Sequence, residues 1–202
     1  MEATATASTS ASTTGSQTIA DLIPHAVTEY AEQIAVRFKR DGQWHDVSYT
    51  ELAEIVQEIA VGLIDIGIKA GERVCILANT RPEWSYVDMA ATSIGAVVVP
   101  IYQTNSPEEC LWVISDSGAC AIVCEDDEQL AKIAAIRDRV PDLRTIIVID
   151  PPAHSGEVPS NRIAGSGASA SIDATTLDQV RERGRGRPAD ELDARRAAVR
   201  PE

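Results

Sequence analysis

The sequence predicts an α/β fold: a mostly parallel sheet flanked by helices, part of a larger subdomain, with a small antiparallel ribbon ahead of it. Three observations carry that reading. Between residues 73 and 150, four short apolar runs alternate with three segments of helical periodicity, the pattern of right-handed crossovers between parallel strands. The run 97–101 is β-branched and wholly apolar, as in a strand covered by helices on both faces. Asp41-Gly42 separates two runs of strand character, which is the turn chemistry of a hairpin because glycine accepts positive φ.

In chain order, Ile19, Leu22, Ile23, Ala26, Val27 and Tyr30 recur at helical spacing after Thr18, predicting an amphipathic helix bent near Pro24. The ribbon follows. Ser48-Tyr49-Thr50-Glu51 reads as a capping box opening a helix whose apolar face runs from Leu52 to Ile64 and stops at Gly67. Residues 73–78 are the first strand of the sheet. Thr80-Arg81-Pro82-Glu83 predicts a second capping box with an early proline, and Ser106-Pro107-Glu108-Glu109 a third, for a helix that ends near Gly118. Strands at 120–124 and 145–149 enclose a helix at 127–140. Past Asp150 the composition becomes that of a linker, and packing is expected to end there. The resulting division is a disordered leader at 1–17, an α/β subdomain at 18–150, a flexible linker at 151–173, and a short helix with a charged tail at 174–202.

Composition excludes several classes. A chain of 202 residues that is 44% apolar and 24% charged can build one sizeable core or two small ones. The longest unbroken apolar run, 95–102, is too short for a transmembrane helix. With 18 Lys and Arg against 31 Asp and Glu, the formal charge of −13 argues against a nucleic-acid partner. The leader is rich in Ala, Thr and Ser and the chain has no Lys or Arg before Arg37, so it lacks the start of a signal or transit peptide and points to the cytoplasm. Cys75, Cys110, Cys120 and Cys124 lie in apolar runs and read as buried small hydrophobes. Cys120 and Cys124 would share one strand face about 13 Å apart, too far for one metal. His25, His45 and His154 adjoin no cysteine pair, leaving zinc little support.

Few polar groups form a recognisable constellation. Glu125-Asp126-Asp127-Glu128 could coordinate a divalent cation, but it falls where a strand ends and a helix begins, and capping is the favoured reading. The arginines from Arg183 to Arg187 alternate with glycine; an exposed surface loop is favoured over an anion site. Gly184-Arg185-Gly186 lacks the preceding strand and third glycine of a dinucleotide loop, and no GxxxxGK[ST], GxSxG, HExxH or CxxC occurs. Glu83 and Asp88, five residues apart, fall on different helix faces. Trp84 and Tyr86, with Tyr102 and Gln103 past a strand's carboxyl end, are the candidate pocket residues, because ligands gather at that end of open α/β sheets. For Trp84, core packing is the stronger alternative. No residue is assigned as catalytic, cofactor-binding or metal-binding.

Taken in order, the motifs Val47-Ser48-Tyr49-Thr50-Glu51-Leu52, Gly71-Glu72-Arg73-Val74, Asn79-Thr80-Arg81-Pro82-Glu83-Trp84 and Gly95-Ala96-Val97-Val98-Val99-Pro100-Ile101-Tyr102-Gln103-Thr104 resemble the N-terminal part of the AMP-forming acyl-CoA synthetases, most closely the long-chain fatty-acid–CoA ligase branch. The resemblance covers about residues 18–150 and, more loosely, 190–202. It implies a two-step reaction, in which fatty acid and Mg-ATP give acyl-adenylate and pyrophosphate and coenzyme A then displaces AMP. ATP, Mg2+ and CoA are the implied cofactors. Fatty acid and CoA are the implied substrates, and the remainder of the enzyme and a second copy in a homodimer the implied partners. The implied location is cytoplasmic or peripheral at the membrane. The family's phosphate loop, its aromatic-Gly-x-Thr-Glu segment, its ribose-binding Asp and its C-terminal lysine have no counterpart in these residues, so the expectation is an inactive N-terminal fragment. A stand-alone, non-catalytic α/β binding module is the alternative.

Overall fold

The computed structural model describes residues 16–151, 163–164 and 171–200. A 3-10 turn at Ile19–Asp21 leads into α1 (Leu22–Tyr30). Pro24 has no N–H to give the carbonyl of Ala20, so the α-helix starts at Leu22 rather than Ile19. Ile23 is buried, whereas Ile19, Leu22 and Tyr30 on the anticipated apolar face are exposed. Strands β1 (Ile34–Arg40) and β2 (Gln43–Ser48) form the predicted antiparallel ribbon. Asp41 and Gly42 take φ of 51° and 79°, and two consecutive positive φ values match the right-handed twist of the strands they join. Arg37 forks onto the directly opposed Asp46 at 2.5 and 2.7 Å, and Arg40 ties the ribbon to Glu83 at 2.6 Å.

Helix α2 (Tyr49–Asp65) begins with the expected capping box, Ser48 Oγ accepting the Glu51 N–H while the Glu51 carboxylate accepts the Ser48 N–H. The alternating region follows as β3 (Arg73–Leu77), α3 (Pro82–Ser93), β4 (Val97–Ile101), α4 (Pro107–Ser117), β5 (Ala121–Cys124), α5 (Asp127–Ile136) and β6 (Thr145–Val148). Helix α4 carries the box of Ser106 and Glu109 and ends at Gly118, whose φ of 62° is left-handed. Strands β7 (Ile163–Ala164) and β8 (Ser171–Ile172) pair antiparallel, and β9 (Thr175–Thr176), α6 (Leu177–Gly184) and α7 (Asp190–Ala198) complete the described chain. The sheet is parallel throughout, in the order β4-β3-β5-β6-β9.

Two cores lie on its two faces. Val74, Ile76 and Val123 point into the first, beneath α2, α3 and α6; Cys75, Leu77, Ile122 and Cys124 point into the second, beneath α4 and α5. All four cysteines are free and buried, and desolvation pushes the Cys75 thiol up to about 12. Burial of Ile122, Val123, Ile147 and their neighbours stabilises the sheet by about 2 kcal/mol for each large side chain.

Four expectations need correction. Thr80 does not cap α3: Arg81 is the N-cap residue, makes no side-chain capping bond, and draws Glu83 into an ion pair instead. Strand β4 is not buried on both faces; it is an edge, with Val97 49% exposed. Cys120 precedes β5, outside the strand's alternation, and joins the first core while Cys124 joins the second.

The fourth correction is the largest, because packing does not end at Asp150. Strand β9 extends the sheet, and Leu177, Val180 and Leu192 are buried in the first core. Helix α6 crosses α2 at backbone contact, and glycine allows it. A Cβ at Gly62 would lie 2.0 Å from the Val180 carbonyl oxygen, and one at Gly184 would lie 1.9 Å from that of Glu58. The arginines expected in an exposed surface loop are docked there: Arg185 pairs with Glu58, and Arg183 and Arg187 pair with Asp65, while Arg181 of α6 adds a second partner for Glu58. Most of the anticipated leader, 1–17, and of the linker, 151–173, lies outside the described residues.

Candidate functional site

At the carboxyl ends of β3 and β4 an open pocket of about 690 Å³ is lined by Ala78, Asn79, Thr80, Trp84, Pro100, Ile101, Tyr102 and Gln103. Three of the four candidate residues therefore meet: Trp84 comes from the first turn of α3, and Tyr102 and Gln103 directly follow β4. Tyr86 does not join them. Two residues after Trp84, it turns into the first core and is buried there. Trp84 has both anticipated roles, lining the pocket with one part of its ring system and packing against that core with another. Tyr102 is 79% exposed. Lys132 donates to the Gln103 carbonyl at 2.5 Å, fixing the wall beyond β4.

Beside this pocket lies a polar network that the sequence reading missed. Arg81 donates from Nη1 and Nη2 to the Asp150 carboxylate at 2.5 and 3.2 Å, from Nη1 to Glu125 at 3.3 Å, and from Nε to Glu83 at 2.7 Å. The Glu125 carboxylate also accepts the backbone N–H and the side-chain amide of Asn79, at 2.6 and 2.8 Å. The loops after β3, β5 and β6 are thus joined through one guanidinium, whose side chain is only 16% exposed. Burial alone would lower the Arg81 pKa, but the Asp150 and Glu83 carboxylates outweigh that and raise it. Partial burial likewise works against the charge of Glu83, and the guanidiniums of Arg81 and Arg40 hold its carboxyl below the usual range. A cation at a helix N-terminus opposes the helix dipole. That local conflict at Arg81-Pro82 was the available sequence signal for nearby carboxylates.

The acidic run has a structural role. Asp126 caps α5 by accepting the Gln129 N–H at 3.1 Å, and Glu125 serves the network just described. Among the described residues, no three His, Cys, Asp or Glu side chains are grouped to hold a metal ion. Asp88, set aside in the sequence reading because it and Glu83 fall on different helix faces, has its carboxyl lifted above the usual range by desolvation. The pocket lining offers aromatic rings, amides and the hydroxyls of Thr80 and Tyr102. That set can sandwich and orient a planar or apolar group but supplies no proton-transfer pair.

Comparison with known proteins places this architecture. The AMP-binding enzyme family matches residues 23–194. The long-chain-fatty-acid–CoA ligase FadD15 of Mycobacterium bovis is 39% identical over 160 residues, which are 79% of this chain and 23% of that ligase. The human long-chain-fatty-acid–CoA ligase ACSBG1 is 29% identical over 177 residues, 88% of this chain and 22% of the relative. The present chain thus spans under a quarter of the length of these curated relatives. Among solved structures, the A domain of carboxylic acid reductase from Segniliparus rugosus, in complex with AMP and a co-purified carboxylic acid, superimposes with a TM-score of 0.67 at 20% identity, covering 85% of this chain and 30% of that one. At that identity the likeness shows the fold alone. No helix among the described residues is long and apolar enough to cross a membrane. On the extent of the family match, the chain belongs to the AMP-binding enzyme family.

Proposed function

We propose that these residues are the N-terminal scaffold of a long-chain fatty-acid–CoA ligase. The enzyme joins fatty acid to AMP from ATP with release of pyrophosphate, and then passes the acyl group to coenzyme A with release of AMP. The observation that carries this reading is the 39% identity to a long-chain-fatty-acid–CoA ligase across most of this chain. The chain's own part is to form the sheet and the β3–α3 and β4–α4 turns. On its own it does not adenylate a fatty acid.

The donor set supports that limit. Activating a carboxylate requires cationic groups or a metal to stabilise the charge that develops on the phosphate. Mg-ATP does not fit the residues described here. Beside the pocket, Arg81 already satisfies three carboxylates, and Lys132 is turned toward a backbone carbonyl. No step of the reaction is therefore routed through this chain. The four reduced, buried thiols support a cytoplasmic location.

An exposed apolar edge speaks against a self-sufficient binding module: Val97 is 49%, Trp112 67% and Tyr102 79% exposed around β4 and α4. The test is pyrophosphate exchange with palmitate and Mg-ATP on the purified chain. No exchange above background is expected; robust turnover would refute the scaffold reading.

A further inference from the structure

We infer that Arg81 is a built-in occupant of the sheet's topological crevice, closing it to phosphate and positioning the β3–α3 turn that walls the neighbouring pocket. The chain runs from β3 outward to β4 and then back across β3 to β5, so the loops after β3 and β5 leave toward opposite faces. Helix α3 packs into the first core and α5 into the second, which confirms the divergence. In a doubly wound sheet this point, outside the carboxyl ends of the two diverging strands, is where a ligand ordinarily lies.

Here the position is filled from within. The Arg81 guanidinium reaches from the end of β3 to Glu125 at the end of β5 and on to Asp150 at the end of β6, while Nε holds Glu83 on α3. Glu125 spends one oxygen on Arg81 and the other on the backbone and side-chain donors of Asn79, so the turn Asn79-Thr80-Arg81 is pinned at both its ends. Those residues include two that line the open pocket. An anion entering the crevice would have to displace a forked guanidinium and would then face three carboxylates. A phosphate-bearing ligand is therefore excluded there, and the accessible cavity lies one strand over, between Trp84 and Tyr102. Arg81 is a positioning residue. The inference concerns the crevice alone and holds or fails independently of the ligase reading.

The test compares the intact chain with Arg81→Ala and Arg81→Lys, unfolded thermally in tens of millimolar guanidinium chloride or sodium chloride. Arg81→Ala is expected to lower Tm by about 6 to 12 °C in sodium chloride, because it strands partly buried carboxylates. Guanidinium should restore about half of that loss by binding the vacated position, while it leaves the wild type unimproved. Arg81→Lys, which lacks the fork, should not reproduce the wild-type Tm. If Arg81→Ala does not fold in sodium chloride, folding in guanidinium supports the inference, and failure in both salts overturns it. Loss of Tm without guanidinium-specific recovery also overturns it. Inorganic phosphate titrated into the wild type should leave the backbone amide resonances of residues 79–81 and 125–127 unmoved; saturable shifts there would contradict the exclusion.

Discussion

The two edges of the parallel sheet end differently. On one side β9 contributes only Thr175 and Thr176, and Thr176 at once caps α6, its hydroxyl accepting the Gln179 N–H at 3.0 Å. Helix α6 then closes over α2 through Gly62 and Gly184, with arginines on Glu58 and Asp65 at the rim. On the other side β4 presents five residues and a half-exposed apolar surface. The Val97 N–H bonds inward to the Glu72 carbonyl, so residues 97, 99 and 101 face β3, and 98 and 100 face outward. Pro100 therefore places its missing N–H on the open edge, where a proline removes no ladder bond and weakens pairing with a further strand. One edge is a two-residue strand that gives way at once to helices packed on the first face; the other is a five-residue strand protected chemically but left uncovered by the described residues.

The most damaging way to break this contrast is at the crossing of α2 and α6 beside the short edge. Gly184→Ala puts a methyl group against the Glu58 carbonyl, in backbone that cannot swing aside as a side chain would. The overpacking should cost about 3 kcal/mol and lower Tm by about 6 to 12 °C. A thermal scan within a degree of wild type would mean that the α2–α6 crossing is not held at backbone contact. At the open edge the expected change is in association rather than stability. Pro100→Val restores an outward N–H and should shift sedimentation velocity profiles toward dimers, with Tm moving by about 2 °C or less. A variant that stays monomeric at every concentration would show that Pro100 does not guard the edge.

The same contrast explains what could be read in advance. Alternating runs, two of the capping boxes and the Asp41-Gly42 turn are local patterns, and each appears where the sequence places it. Lateral position in the sheet is not local. The run at 97–101 and the strand at β5 are both wholly apolar, yet one is an edge and the other is central; Pro100 was the clue to the difference. The docked tail was missed because α6 and α7 are mostly charged and bury few residues, and their fit depends on two glycines 122 positions apart. The pocket was partly legible, since Trp84, Tyr102 and Gln103 flank strand ends. Tyr86 was misplaced because two residues along a helix is more than half a turn, enough to rotate a side chain from pocket to core.

The account rests on this chain being framework, with the groups that handle triphosphate lying outside it. Isothermal titration calorimetry of the purified 202-residue chain with Mg-ATP tests this most directly. The account predicts no saturable heat at micromolar or submillimolar ligand; a saturable isotherm with micromolar Kd would contradict it.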